Sequence, residues 1–186
     1  VTDASGNVSY CVSMATINDF TTPIALCNDT TIYLSGAGTS VITANDIDGG
    51  STDNGTIVSM TASQYNFNCS HQGANNVTLI VTDEANNSAF CTAIVTVLDT
   101  IAPTAVCQNV SVTLDPSGNA SVTGLQIGGL STDNCGLGNL TLSLSQYTFP
   151  NAGVFNVTLT VTDASGNTNS CVATVTVVDN IQPNAV

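Results

Sequence analysis

The tripeptide Val-Thr-Asp begins at Val1, Val81 and Val161, and this interval of 80 residues recurs throughout the chain. Cys11, Cys91 and Cys171 keep it, as do Cys27 and Cys107, and Pro23, Pro103 and Pro183. Ser51-Thr-Asp-Asn54 likewise returns as Ser131-Thr-Asp-Asn134, and the residues from Val1 to Asn7 return letter for letter from Val161 to Asn167. A fixed period means that one structural unit is used repeatedly along the chain. The expected organisation is the end of a preceding repeat over 1–19 (last hairpin strands and linker), one repeat over 20–99, a second over 100–179, and the start of the next linker over 180–186.

Within a repeat the periodicity is that of strands. Val110, Val112 and Leu114 alternate with Ser and Thr, as do Leu140, Leu142 and Leu144, then Val157, Leu159 and Val161, then Ala173, Val175 and Val177. Turn-forming residues punctuate the pattern at Asp115-Pro-Ser-Gly-Asn119, Ser131-Thr-Asp-Asn-Cys-Gly136, Pro150-Asn-Ala-Gly153 and Ala164-Ser-Gly-Asn167. No segment has an apolar 3.6-residue period of helical length. The pattern predicts an all-β protein of tandem immunoglobulin-like antiparallel β-sandwiches, one per 80-residue repeat. Val154 to Thr162 and Asn169 to Val178 are expected to pair as a hairpin. Asp179-Asn-Ile-Gln-Pro183 then matches Asp99 to Pro103 and Asp19 to Pro23. Proline lacks an N–H and ends the pairing of the last strand, which marks this stretch as the joint between modules.

Charge narrows the function classes. The chain has no Lys or Arg, thirteen acids and one His, for a formal net charge of −13. Without a fixed cation it cannot neutralise phosphates, which excludes nucleic acid and disfavours anionic membrane surfaces. No apolar run approaches the length of a membrane span, so membrane insertion is not expected. The carboxylates must rely on water, backbone N–H groups or a bound cation. Seven cysteines without a Cys-x-x-Cys pair point to disulfides and an extracellular or cell-surface location rather than to zinc. An enzyme is not expected: there is no Gly-x-Ser-x-Gly elbow and no His-Glu-x-x-His helix, and His71 is the only imidazole.

Three strings carry a resemblance: Ala102-Pro-Thr-Ala-Val-Cys-Gln-Asn109, Ser131-Thr-Asp-Asn-Cys-Gly136 and Val161-Thr-Asp-Ala-Ser-Gly-Asn-Thr-Asn-Ser-Cys171. At these residues the chain resembles the hyalin-type repeat, an immunoglobulin-like module of giant bacterial surface proteins that include adhesins of gliding bacteria. The resemblance implies a stalk or an adhesive array and supplies no catalytic residues. Structural modules of a surface fibre or stalk, self-associating end to end or laterally, are the leading expectation. A ligand-binding adhesin is the alternative, with loops such as Gly49 to Ile57 or Leu130 to Asn139 recognising glycan or protein. A further alternative is a set of accessory modules in a larger extracellular enzyme.

On that framework Cys27 is expected to pair with Cys91, and Cys107 with Cys171, joining the first and last strands of each module; buried free thiols are the competing reading. Cys11 belongs to a preceding last strand, with its partner elsewhere. Cys69 and Cys135 break the period, because Gly55 stands where a second cysteine is expected in one repeat and the region of Asn151 in the other. The resembled family often carries both as a second bridge within one module. Here the two would face one another across the joint, giving a bridge between repeats or between neighbouring chains, against free thiols. Asp19, Asp53 and Asp83, and in register Asp99, Asp133 and Asp163, come from linker, early loop and hairpin loop, which meet at one pole of a sandwich. Convergent carboxylates suit Ca²⁺ as the one expected cofactor. The alternative is that each aspartate only caps backbone N–H groups as an Asx-turn. Asp29-Thr30-Thr31 and Asp99-Thr100-Ile101 match a bacterial O-glycosylation pattern, and Asn109 and Asn139 head Asn-x-Ser/Thr sequons.

Overall fold

The computed structural model describes residues 1–149 and 152–182. The turn at Pro150-Asn151 and the recurring Pro183 lie outside the described residues. Each repeat is a β-sandwich. In the first, β1 (Thr30–Tyr33), β6 (Ser88–Leu98), β5 (Gly73–Asp83) and β3 (Ile57–Ala62) form a four-stranded sheet in that order. β2 (Thr39–Val41) pairs with β4 (Asn66–Asn68) in a second, smaller sheet. The second repeat copies this with β7 (Val110–Thr113), β12 (Thr168–Val178), β11 (Gly153–Asp163) and β9 (Leu137–Leu142), and with β8 (Asn119–Ser121) against β10 (Gln146–Thr148).

The long hairpins carry the core. Val77, Leu79 and Val81 on β5 and Ala93, Val95 and Val97 on β6 all point inward and are buried, with Phe67, Ile42, Ile47 and Leu34 closing the first core. Val157, Leu159, Val161, Ala173, Val175 and Val177 do the same in the second, closed by Tyr147, Ile127 and Leu114. Period-two alternation sends every second side chain into one interior, which is why these strands read so clearly in the sequence.

The hairpin loop is encoded locally, whereas the strands beside it are not. In Asp163-Ala-Ser-Gly-Asn167 the Asp163 carboxylate accepts the N–H groups of Ser165 (2.9 Å) and Asn167 (2.8 Å). The identical residues of the flank repeat this, with Asp3 accepting from Ser5 (3.0 Å) and Asn7 (2.9 Å). The Asn7 amide and backbone hold the Asp3 carboxyl below the usual carboxylate range. Yet around Asp163 the loop joins two eleven-residue strands, while the flank has only the single bridge Thr2↔Val8. In residues 1–19 this one bridge closes the loop around Asp3.

Three expectations are corrected. The sheets are not purely antiparallel, because β1 pairs parallel with β6, and β7 parallel with β12. Cys27 and Cys107 do not lie on a first strand but precede β1 and β7, with Cys27 making an isolated bridge to Asp48. The strand predicted around Leu140 ends at Leu142, leaving Leu144 outside it. The sequence reading also gave no helix, but Gly124–Gly128 forms one turn of α-helix, α1, that buries Ile127. Its Thr123 and Gln126 form a capping box, with Gln126 Oε1 accepting the Thr123 N–H at 2.8 Å. Thr123→Ala is expected to destabilise the second module by about 1 kcal/mol, measurable as a lower denaturant midpoint at unchanged slope.

Candidate metal centres at the joints

The inward row of β11 does not stop at Val161 but continues to Asp163, and that of β5 continues from Val81 to Asp83. Both aspartates are nearly inaccessible, at 4% and 0% exposure. On β6 the row Ala93-Val95-Val97 leads similarly to Asp99, buried at 7% exposure. A carboxylate that ends an apolar row is placed at the pole of the sandwich with little water around it.

There the loops meet. Asp99, Asp133 and Asp163 each offer an oxygen, and these oxygens lie within 4.8 Å of one another; Asp19, Asp53 and Asp83 do the same at the pole of the first repeat. In the second cluster each carboxylate is partly satisfied. Asp163 takes the two loop N–H groups and the Asn167 side-chain amide (2.8 Å). Asp133 takes the Cys135 N–H at 2.8 Å, and Asp99 takes the Ile101 N–H at 3.2 Å and the Asn134 amide at 3.1 Å. Asx-turn capping is therefore real but incomplete. Asp99 Oδ2, Asp133 Oδ1 and Asn134 Oδ1 are buried with no donor. Three carboxylates held this close repel by about 3 kcal/mol per pair at an effective dielectric near 20.

With no Lys or Arg in the chain, the residues that fit this arrangement best are ligands of a cation. The donors are all oxygen and come from strand ends and the loops beside them, which suits Ca²⁺ rather than a softer metal. The first cluster differs in composition. Asp53 Oδ1 is again without a donor, and Asn54 donates to Asp19 Oδ2 at 3.1 Å. A Cβ added at Gly55 would lie 3.2 Å from Asp53 Oδ2, 3.6 Å from Glu84 Oε1 and 3.7 Å from Asp19 Oδ2, so the exposed Glu84 carboxylate stands at the edge of this cluster. The Thr21 backbone N–H (2.9 Å) holds the Asp19 carboxyl below its usual range. The sequence reading missed Glu84 and Asn134; the available signals were an acid next to Asp83 where the other repeat has Ala164, and an amide next to Asp133.

Of the three disulfides, one lies at these poles. Cys27–Cys91 and Cys107–Cys171 close their own repeats with Cα atoms 5.7 and 5.8 Å apart. Cys69–Cys135 joins the first repeat to the second, with Cα atoms 5.3 Å apart. Cys69 opens a 3₁₀ turn before β5, and Cys135 follows Asn134 in the aspartate loop. Asn134 also donates to Ser35 O at 3.3 Å, and Gln72 to Ser165 Oγ at 3.0 Å, both across the joint. The packing is close: a Cβ on Gly38, whose φ is +70°, would fall 2.7 Å from Cys69 Sγ and 2.8 Å from Asn134 O. Cys11 is exposed and free. His71 caps the 3₁₀ turn, its Nδ1 accepting the Asn68 N–H at 3.1 Å, with its ring edge-on to Phe67. Of the candidate glycosylation positions, Thr100, Asn109 and Asn139 are exposed, while Thr30 is half-buried in β1. Asn109 Oδ1 accepts the Thr174 N–H at 2.8 Å.

No protein-family model matches the chain, and no curated protein is significantly similar to it. Similar solved structures include human mucin-like protocadherin EC1-2, at 15% identity over 83% of this chain and 98% of that one, with a TM-score of 0.41. Human protocadherin-24 EC1-2 is 14% identical over 87% and 99% of the two chains, with a TM-score of 0.40. DIP-gamma IG1+IG2 is 10% identical over 83% and 97%, with a TM-score of 0.37. At these identities and scores the likeness decides neither family nor ligand.

Proposed function

We propose that the chain is a segment of an extracellular stalk or fibre in which hyalin-type sandwich modules, each about one 80-residue period long, are locked end to end with Ca²⁺ at the joints. One observation carries this reading: the Cys69–Cys135 bridge ties two successive modules covalently at the pole where the aspartates gather. An intermodule disulfide has no use in a chain of independent beads; it sets one module's orientation on the next. The oxygen-only clusters and their donorless buried acceptors support calcium.

Continuation of the array is supported by the opposite pole. Phe149 stands there in the register of Cys69 and is 63% exposed, beside Pro116, Asp179 and Ile181 around a cavity of about 520 Å³. An apolar platform at that place suits a following module or the end of another copy. Small-angle scattering of the oxidised chain in calcium is expected to fit one rigid two-module particle, and chelation to broaden the distribution of module orientations. Modules that reorient freely in oxidised, calcium-loaded protein would overturn the stalk reading.

A further inference from the structure

The cation cluster at the second joint and the Cys69–Cys135 bridge share one short piece of chain. Asp133 supplies a carboxylate, Asn134 holds the Asp99 carboxylate through its side-chain amide, and Cys135 supplies the sulfur. They are coupled by bonds as well as by sequence. The Cys135 N–H donates to Asp133 Oδ2 at 2.8 Å. The Asn134 amide donates both to Asp99 Oδ1 in the cluster and to Ser35 O of the preceding module. The Asn134 backbone oxygen lies 3.5 Å from Cys69 Sγ. Asp99 itself is more than nine-tenths buried, and its Oδ2 has no donor.

We infer that the Cys69–Cys135 disulfide regulates calcium affinity at this joint, so that its oxidation state and the bound cation are linked. This rests on the calcium reading above. With the bridge closed, the 133–135 backbone is held against the preceding module, and the ligand oxygens are ordered before the cation arrives. With the bridge open, the cation must order that loop itself, which lowers the apparent affinity. Opening the bridge with a dithiol takes two electrons and two protons: two cysteine thiols form and the dithiol becomes a cyclic disulfide. Linkage is reciprocal, so calcium must shift that exchange towards the closed bridge by the same factor.

The molecule holds its own control. At the first cluster Gly55 occupies the register of Cys135, so no disulfide touches Asp19, Asp53 or Asp83. The affinity of that site must be indifferent to Cys69 and Cys135.

The test is a calcium titration followed by amide NMR, reading Asn134 and Cys135 for the second site and Asn54 and Gly55 for the first. It compares the oxidised chain with the Cys69→Ser/Cys135→Ser variant. The expected result is a second-site affinity weaker by about tenfold in the variant, within the usual range of coupling between sites, and an unchanged first site. Equal second-site affinity in the two proteins overturns the linkage while leaving calcium binding intact. Absence of calcium binding at either site in the oxidised chain overturns the calcium reading itself, and the linkage with it. A second measurement needs no variant: the unaltered chain is equilibrated with reduced and oxidised dithiothreitol, and the reduced fraction of each disulfide is read by alkylation and mass spectrometry. Calcium is expected to lower the reduced fraction of Cys69–Cys135 and to leave that of Cys27–Cys91 unchanged; no selective shift overturns the linkage.

Discussion

Replacing Cys107 and Cys171 together by serine is expected to destabilise the second module by about 4 kcal/mol, the loop-closure contribution of a bridge across a span of this length. The two residues are 64 apart, so the bridge removes a large share of the unfolded chain's freedom. For a domain of this size the loss corresponds to a melting midpoint lower by at least about 15 °C. The core it reinforces is small, consisting of two packed inner faces of mostly Val and Leu. A domain so small has little stability in reserve. Calorimetry would read the effect directly, and a shift of only a few degrees would mean that the sheet contacts alone hold the module.

Asp163→Ala is expected to do comparable damage by a different route. The side chain accepts three hydrogen bonds, two from the hairpin-loop backbone and one from the Asn167 amide. That amide also donates to Asp99 O (3.1 Å), so the loop and the linker are held through one carboxylate. Leaving these donors unmatched costs about 3 kcal/mol or more. Part of this is offset in calcium-free protein, because removing one of three clustered carboxylates relieves their mutual repulsion. The destabilisation should therefore be larger in calcium than in chelator. Thermal melts of the native chain and the variant in both conditions test the sign. A destabilisation independent of calcium would reduce the cluster to turn formation.

The parts of the fold legible in the sequence are those governed by short-range pattern. Period-two apolar rows located the paired strands β11–β12, the 80-residue register carries them over to β5–β6, and the Asp-x-Ser-Gly-Asn string located the loop at Asp163 because its own side chains satisfy its own backbone. The direction in which β1 and β7 join their sheets was not legible. A four-residue alternating strand is buried equally well either way round, and only the course of the chain after Cys27 or Cys107 decides it. α1 escaped because a single helical turn has no period to detect; the Thr123–Gln126 capping pair was its only local mark. At the aspartate clusters, register and the expected meeting of linker and loops at one pole grouped the residues. Asp99 is buried where its counterpart Asp19 is only half-buried, a difference between copies that no single-repeat pattern contains.

The positions of Cys107 and Cys171 also decide what happens when the two ends of the polypeptide are pulled apart. Tension arriving just before β7 crosses the sulfur–sulfur bond straight into β12, and everything between the two cysteines is bypassed. About 220 Å of contour length, at roughly 3.4 Å per residue, stays sealed in a closed ring however hard the ends are drawn. Cys27 and Cys91 seal the other repeat in the same way, so only the short tether between Cys91 and Cys107 can straighten between them. Under oxidising conditions these two repeats can lengthen under load only by that tether and the segments outside the two rings.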